Sequence, residues 1–143
     1  MCGRELPSSP LQHQIVQPGR VRRVSLISTA VRHRGAVSSL ALAASGIGIV
    51  LQPRQAVSTL GLASTSARGI AETRAGLGGT FAALGLWALA RRSRDAHTAV
   101  GVTWLGAAAL RLASLQLDQP ETDATFWAYL AAELTFGLAG ITA

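Results

Sequence analysis

The sequence predicts an all-α protein, a four-helix transmembrane bundle with its N- and C-termini on the cytoplasmic side, and three observations carry that expectation. The first is charge: 49% of the residues are hydrophobic and only 14% charged, where a soluble domain usually carries about a quarter. The second is where the charges lie. Residues 75–90 and 124–132 have none, and 96–110 has only His97. The third is the lack of a polar stripe. A soluble surface helix needs charges every turn or two on its wet side, and Gly76-Leu-Gly-Gly-Thr-Phe-Ala-Ala-Leu-Gly-Leu-Trp has none. Strands are disfavoured because alanine dominates and no period-two alternation persists.

The four spans are expected at about 35–51, 69–90, 98–117 and 124–143, which together form one membrane domain over 35–143. At ~1.5 Å rise per residue, about twenty helical residues cross a ~30 Å hydrocarbon layer. The first span is near the minimum length and is rich in Ser and Gly, so a signal peptide is the competing reading. Its long arginine-rich lead and the lack of an Ala-x-Ala site argue against that. Residues 1–34 read as a basic tail with poor order, since Pro7, Pro10 and Pro18 and scattered polar residues show no helical pattern up to Thr29. The connection 52–68 is mildly apolar over 56–63 but too short to cross. It reads as a loop or as a short helix at the interface.

Arginine placement orients the set. All 13 basic residues are arginines; Arg4, Arg20, Arg22, Arg23, Arg32 and Arg34 precede the first span, and Arg91, Arg92 and Arg94 follow the second. Positive loops stay on the cytoplasmic side. Asp118, Glu121 and Asp123, with no arginine among them, then face outward, and an even number of spans returns the C-terminus to the cytoplasm. The Ala, Gly and Arg bias suggests a bacterial source, hence the inner (cell) membrane, in multi-pass form. The positive net charge of +6 is better explained by loop topology than by nucleic-acid binding, which needs a basic face on a soluble module. Expected partners are the lipid bilayer and a second copy or another membrane protein.

Ionisable side chains inside spans cost at least ~2.5–3.5 kcal/mol each on insertion scales, so Glu72, Arg74, Arg111 and Glu133 are the candidate polar cluster, with Asp118 closing the third span. Helical rise places them in one layer toward the outer side. Inward stripes are expected through Glu72, Gly76, Gly79 and Ala83, through Trp104, Ala108 and Arg111, and through Tyr129, Glu133, Gly137 and Gly140. Gly76, Gly78, Gly79, Gly137 and Gly140 are the expected helix-packing positions. The single cysteine, Cys2, rules out an intrachain disulfide. His13, His33 and His97 lie in the tail or at span ends, where paired haem ligation is not available. No Glu-x-x-His pair, phosphate loop or nucleophile elbow is present, so neither a metal, a cofactor nor a catalytic residue is expected.

Ala71-Glu72-Thr73-Arg74 with Gly78-Gly79, then Arg111-Leu-Ala-Ser114-Leu-Gln-Leu-Asp118, then Glu133, resembles the bacterial membrane family called domain of unknown function 4345. The resemblance covers about 34–143 and implies a four-helix membrane protein with Glu-x-Arg and paired glycines opening the second helix. It also implies glycine after the aspartate, where this chain has Gln119. No definite activity follows from it. Its layout is similar to that of small DoxX-type proteins of membrane redox and stress functions, an analogy of fold only.

Three functions are compatible with this reading. In the first, a non-enzymatic membrane protein, the ion pair stabilises the bundle and the helix faces meet other membrane proteins. In the second, a transporter or channel component, Arg111, Glu133 and Glu72 form a substrate or proton site. In the third, the chain is an accessory to a redox enzyme acting on a lipid-soluble molecule such as a quinone. A dry paired cluster favours the first and a water-filled outward cleft the second. An apolar pocket opening sideways to lipid beside Arg111 and Trp104 favours the third.

Overall fold

The computed structural model describes residues 18–63 and 66–143, with side chains from His33 onward. The described chain is all-α: α1 (Pro18–Leu51), α2 (Pro53–Thr59), α3 (Ala67–Glu72), a π-helical segment (Thr73–Gly79), α4 (Thr80–Arg91), α5 (Arg94–Leu117) and α6 (Ala124–Ile141). Among the described residues, three stretches are long and apolar enough to cross a membrane: His33–Leu51, Arg94–Leu117 and Ala124–Ile141. The remaining rod, 67–91, is α3, the π-helical segment and α4 in direct succession.

Close approaches give the directions. Gly46 lies against Ala82 and Gly78, and Gly85 lies against Ala43 and Ser39, so α4 runs antiparallel to α1. Gly101 meets Gly140, and Leu105 meets Gly137, which makes α6 antiparallel to α5. Helix α1 packs on α4, α5 and α6, while α4 and α6 make no comparable packing with each other among the described residues. Glycine at these crossings lets backbones touch, and that is where van der Waals attraction between helices is largest.

Helix α1 begins at Pro18, well before the expected start at 35. Proline suits a first helical turn, where its missing N–H has no partner to lose, and the arginines that follow are good helix formers. Expectations for residues 1–17 lie outside the described residues. At its other end α1 stops at Gln52, and Pro53 opens the short helix α2, so the connection takes the helical alternative.

The stripe expected for the second span does not face α1, on either side of the π-helical segment. Within it a turn takes an extra residue, so Thr73 and Gly78, five positions apart, are both buried, and Gly85 and Ala88 continue that face. Glu72, Gly76 and Ala83 are exposed and Gly79 is half-buried. A stripe counted at 3.6 residues per turn points away from α1.

The interior holds Leu42 and Val100 among mostly small and polar side chains. Ala43, Ala88, Ala96 and Ala108 are buried beside Ser38, Ser39, Thr73, His97 and Glu133, while Leu40, Leu51, Leu86, Trp87, Val102, Leu110, Leu117 and Leu138 are exposed. Ser39 Oγ and His97 Nδ1 lie 2.8 Å apart, and Ser38 Oγ donates to the Phe136 carbonyl at 2.8 Å. No buried side-chain polar atom lacks a partner among the described residues.

Candidate functional site

The site is built on facing stripes of α5 and α6. Along α6, Phe126, Tyr129, Glu133, Phe136, Gly137 and Gly140 recur at spacings of three and four, which puts them on one side of the helix. Gly137 and Gly140 bring that side onto α5, so Arg111 reaches Glu133 without stretching. At ~1.5 Å per residue Arg111 sits about 9 Å along the axis from Leu117, one to two turns inside the end of α5.

The contact is a two-point salt bridge. Arg111 Nε donates to Glu133 Oε2 at 3.0 Å and Nη2 donates to Oε1 at 2.7 Å. This fork geometry is the strongest arrangement of a guanidinium and a carboxylate. The Arg111 guanidinium carbon also lies 5.3 Å from the Phe126 ring centre and 5.5 Å from that of Tyr129, inside cation–π range. The two partners differ in exposure: the carboxylate side chain is 6% exposed and the guanidinium side chain 24%. Glu133 is therefore sealed by Arg111. Two of the five guanidinium N–H groups are spent on it, and Arg111 makes no other hydrogen bond among the described residues.

Arg111 stands in the wall between two cavities. The outer one, about 640 Å³, is lined by Ser114, Asp118, Glu121 and Asp123 together with Tyr129. The inner one, about 540 Å³, is lined by Gly48 and Ile49 of α1, Leu77, Phe81, Trp104 and Phe136, and reaches Gln52 and Gln55 near α2. An aromatic run crosses it. Phe81 and Trp104 have ring centres 6.4 Å apart, and Trp104 and Phe136 5.5 Å apart.

The other expected members of the cluster do not join the pair. Glu72 is exposed and lies 3.9 Å from Arg68, one turn earlier on the same helix. Arg74 Nε donates to the Val50 carbonyl at 3.1 Å, so it closes the C-terminal end of α1, where the helix dipole favours a cation. Asp118 caps the end of α5 and lines the outer cavity. Of the expected packing glycines, Gly78, Gly137 and Gly140 lie where an added Cβ would collide with another helix. Gly76 faces open space, and Gly79 has only ordinary contact with its own helix.

Gly35, Gly46, Gly85 and Gly101 do the same packing work and were not singled out by the sequence. Ser38, Ser39 and His97 are a further omission. Their signal was present in the serine pair of the first span and in a histidine one turn inside α5. Among the described residues no group of three or more His, Cys, Asp or Glu side chains comes together as a metal site.

No protein-family model, no curated protein and no solved structure matches the chain.

Proposed function

We propose that the chain is an integral membrane protein of four spans in a bacterial inner membrane, non-enzymatic, with the Arg111–Glu133 pair fastening α5 to α6; the apolar cavity beside Arg111 and Trp104 favours, as a second reading, an accessory role toward a lipid-soluble molecule. The rod 67–91 is the fourth span in both readings. Both termini and Arg91, Arg92 and Arg94 face the cytoplasm, and 118–123 faces outward. The outer surface of the bundle meets lipid and a second membrane protein, which includes another copy of this chain.

One observation carries the reading: the distribution of side chains is inverted relative to a soluble bundle. Many large apolar side chains point out, and around a small core of Leu42, Val100 and Trp104 the helix contacts are made by glycine, alanine, serine and one ion pair. In water such an exterior would collapse on itself, because apolar patches beyond a few hundred Å² are rare on soluble monomers. In lipid the exterior costs nothing, and small residues with interhelical hydrogen bonds supply the association. The likeness to the domain of unknown function 4345 rests on its motif residues alone and belongs to this proposal.

The experiment is a carbonate and high-salt wash of membranes, followed by topology labelling. The protein stays in the pellet until detergent is added, whereas a peripheral basic protein leaves when salt screens its charges. In a Cys2→Ser background, Thr122→Cys reacts with an impermeant thiol reagent in intact cells and Ser93→Cys does not. Release without detergent would end the membrane reading, and labelling of Ser93→Cys alone would invert the orientation.

A further inference from the structure

We infer that the inner cavity is a binding site for a neutral, lipid-soluble molecule with a flat apolar body and a carbonyl oxygen, held between the aromatic run and the unspent N–H edge of Arg111. The inference rests on the membrane reading for how the ligand arrives, and on the geometry of the cavity for what it is.

The volume of about 540 Å³ falls within the range of small-molecule pockets and leaves room for a two-ring body. Phe81, Trp104 and Phe136 supply aromatic surface from three different helices, which suits a planar partner better than an acyl chain. At the same cavity stands Arg111, a cation that spends two of its N–H groups on Glu133 and keeps the others, beside the neutral donors of Gln52 and Gln55. The polarity of the ligand follows from the pair. An anion attracted by Arg111 would meet the carboxylate of Glu133, and a cation would meet the guanidinium. A neutral acceptor oxygen gains a charge-assisted hydrogen bond without disturbing either.

Access is lateral. The π-helical segment packs on α1 and makes no comparable packing on α5 or α6, and α2 packs on α1, α3 and the π-helical segment, yet residues of all of these line the same cavity. The side between the π-helical segment and α5 is thus unsealed at the level of Arg111. A molecule dissolved in the bilayer reaches the aromatic run there without passing through water.

The cavity also has a built-in control. A Cβ on Gly48, which lines the cavity, would meet nothing within 4 Å, so this position on α1 accepts a large side chain beside the empty volume. Gly48→Phe fills the site while adding helix propensity.

The test uses the full chain in detergent, with Trp87→Phe and Trp127→Phe so that Trp104 alone reports. The probe is 2-methyl-1,4-naphthoquinone, which is flat, neutral, carbonyl-bearing and a fluorescence quencher; 1-bromonaphthalene is the quencher of similar size without an acceptor oxygen. The naphthoquinone is expected to quench Trp104 along a saturating curve, with the bromonaphthalene about tenfold weaker, the worth of one charge-assisted hydrogen bond. Gly48→Phe abolishes saturation and keeps or raises the melting temperature. Should Gly48→Phe fail to fold, Ala132→Phe fills the cavity from α6 with the same expectation. In Arg111→Leu/Glu133→Leu the two probes become equal.

Quenching linear in probe concentration means partition into the micelle and overturns the site. So does saturation that survives both filling variants, and equal binding of the two probes by the unaltered pair overturns the role of Arg111. These failures leave the membrane reading intact, whereas release by carbonate removes that reading first.

Discussion

Gly101 of α5 and Gly140 of α6 approach so closely that a Cβ on Gly140 would lie 2.6 Å from the Cα of Gly101. The obstacle is backbone, which cannot swing aside as a side chain can. The two helices must separate to admit even a methyl group.

Gly101→Ala and Gly140→Ala are therefore each expected to lower stability by about 1–3 kcal/mol, the usual cost of overpacking. Gly106→Ala, on the same helix as Gly101 but facing open space, is expected to gain about 0.5–1 kcal/mol from helix propensity. Thermal melts in one detergent separate the two classes. Equal effects at Gly101 and Gly106 would mean that the α5–α6 contact is not the one described.

Much of this interface was legible in the sequence because α5 and α6 are regular helices. Counting threes and fours along 124–141 puts Glu133, Gly137 and Gly140 on the buried side, and counting rise matches Arg111 to Glu133 in depth. The second span was misread for a physical reason. A π-helical turn shifts the phase of everything counted from its far side, and nothing in Thr73-Arg-Ala-Gly-Leu-Gly-Gly announces such a turn to a 3.6-residue count. The expected stripe also fails in the regular helix beyond the turn, where Ala83 is exposed and Gly85 is buried, so Glu72 lies at the surface. The cavities were illegible for a different reason, since empty space depends on how four rods and α2 diverge, and periodicity fixes only which way each rod faces.

Glu72→Gln follows as a negative prediction. Its pairing with Arg68 at 3.9 Å is exposed on both sides, and exposed ion pairs contribute ~0–1 kcal/mol. The melting temperature is expected to move by no more than about 1 kcal/mol of stability allows. A loss comparable to that of Arg111→Leu would show that Glu72 belongs to the buried cluster after all.

Gln119 sits at φ 47° directly after the cap of α5, in the left-handed region that favours glycine. The glycine that the family resemblance led one to expect at this place suits that backbone. Gln119→Gly is expected to relieve strain of about 1 kcal/mol, partly offset by the larger conformational entropy of an unfolded glycine. A melt that rises slightly or stays level supports the turn as described. A fall of more than about 1 kcal/mol would show that the glutamine side chain, not the backbone, holds the connection.

The pair itself is tested by a double-mutant cycle on Arg111 and Glu133, read as stability in detergent. Arg111→Leu strands a carboxylate that is 6% exposed and is expected to cost about 3–5 kcal/mol. Adding Glu133→Gln removes the stranded charge, so the double variant is expected to be more stable than Arg111→Leu alone. If the two losses instead simply add, or if neither substitution moves the melting temperature, the Arg111–Glu133 bridge does not fasten the bundle.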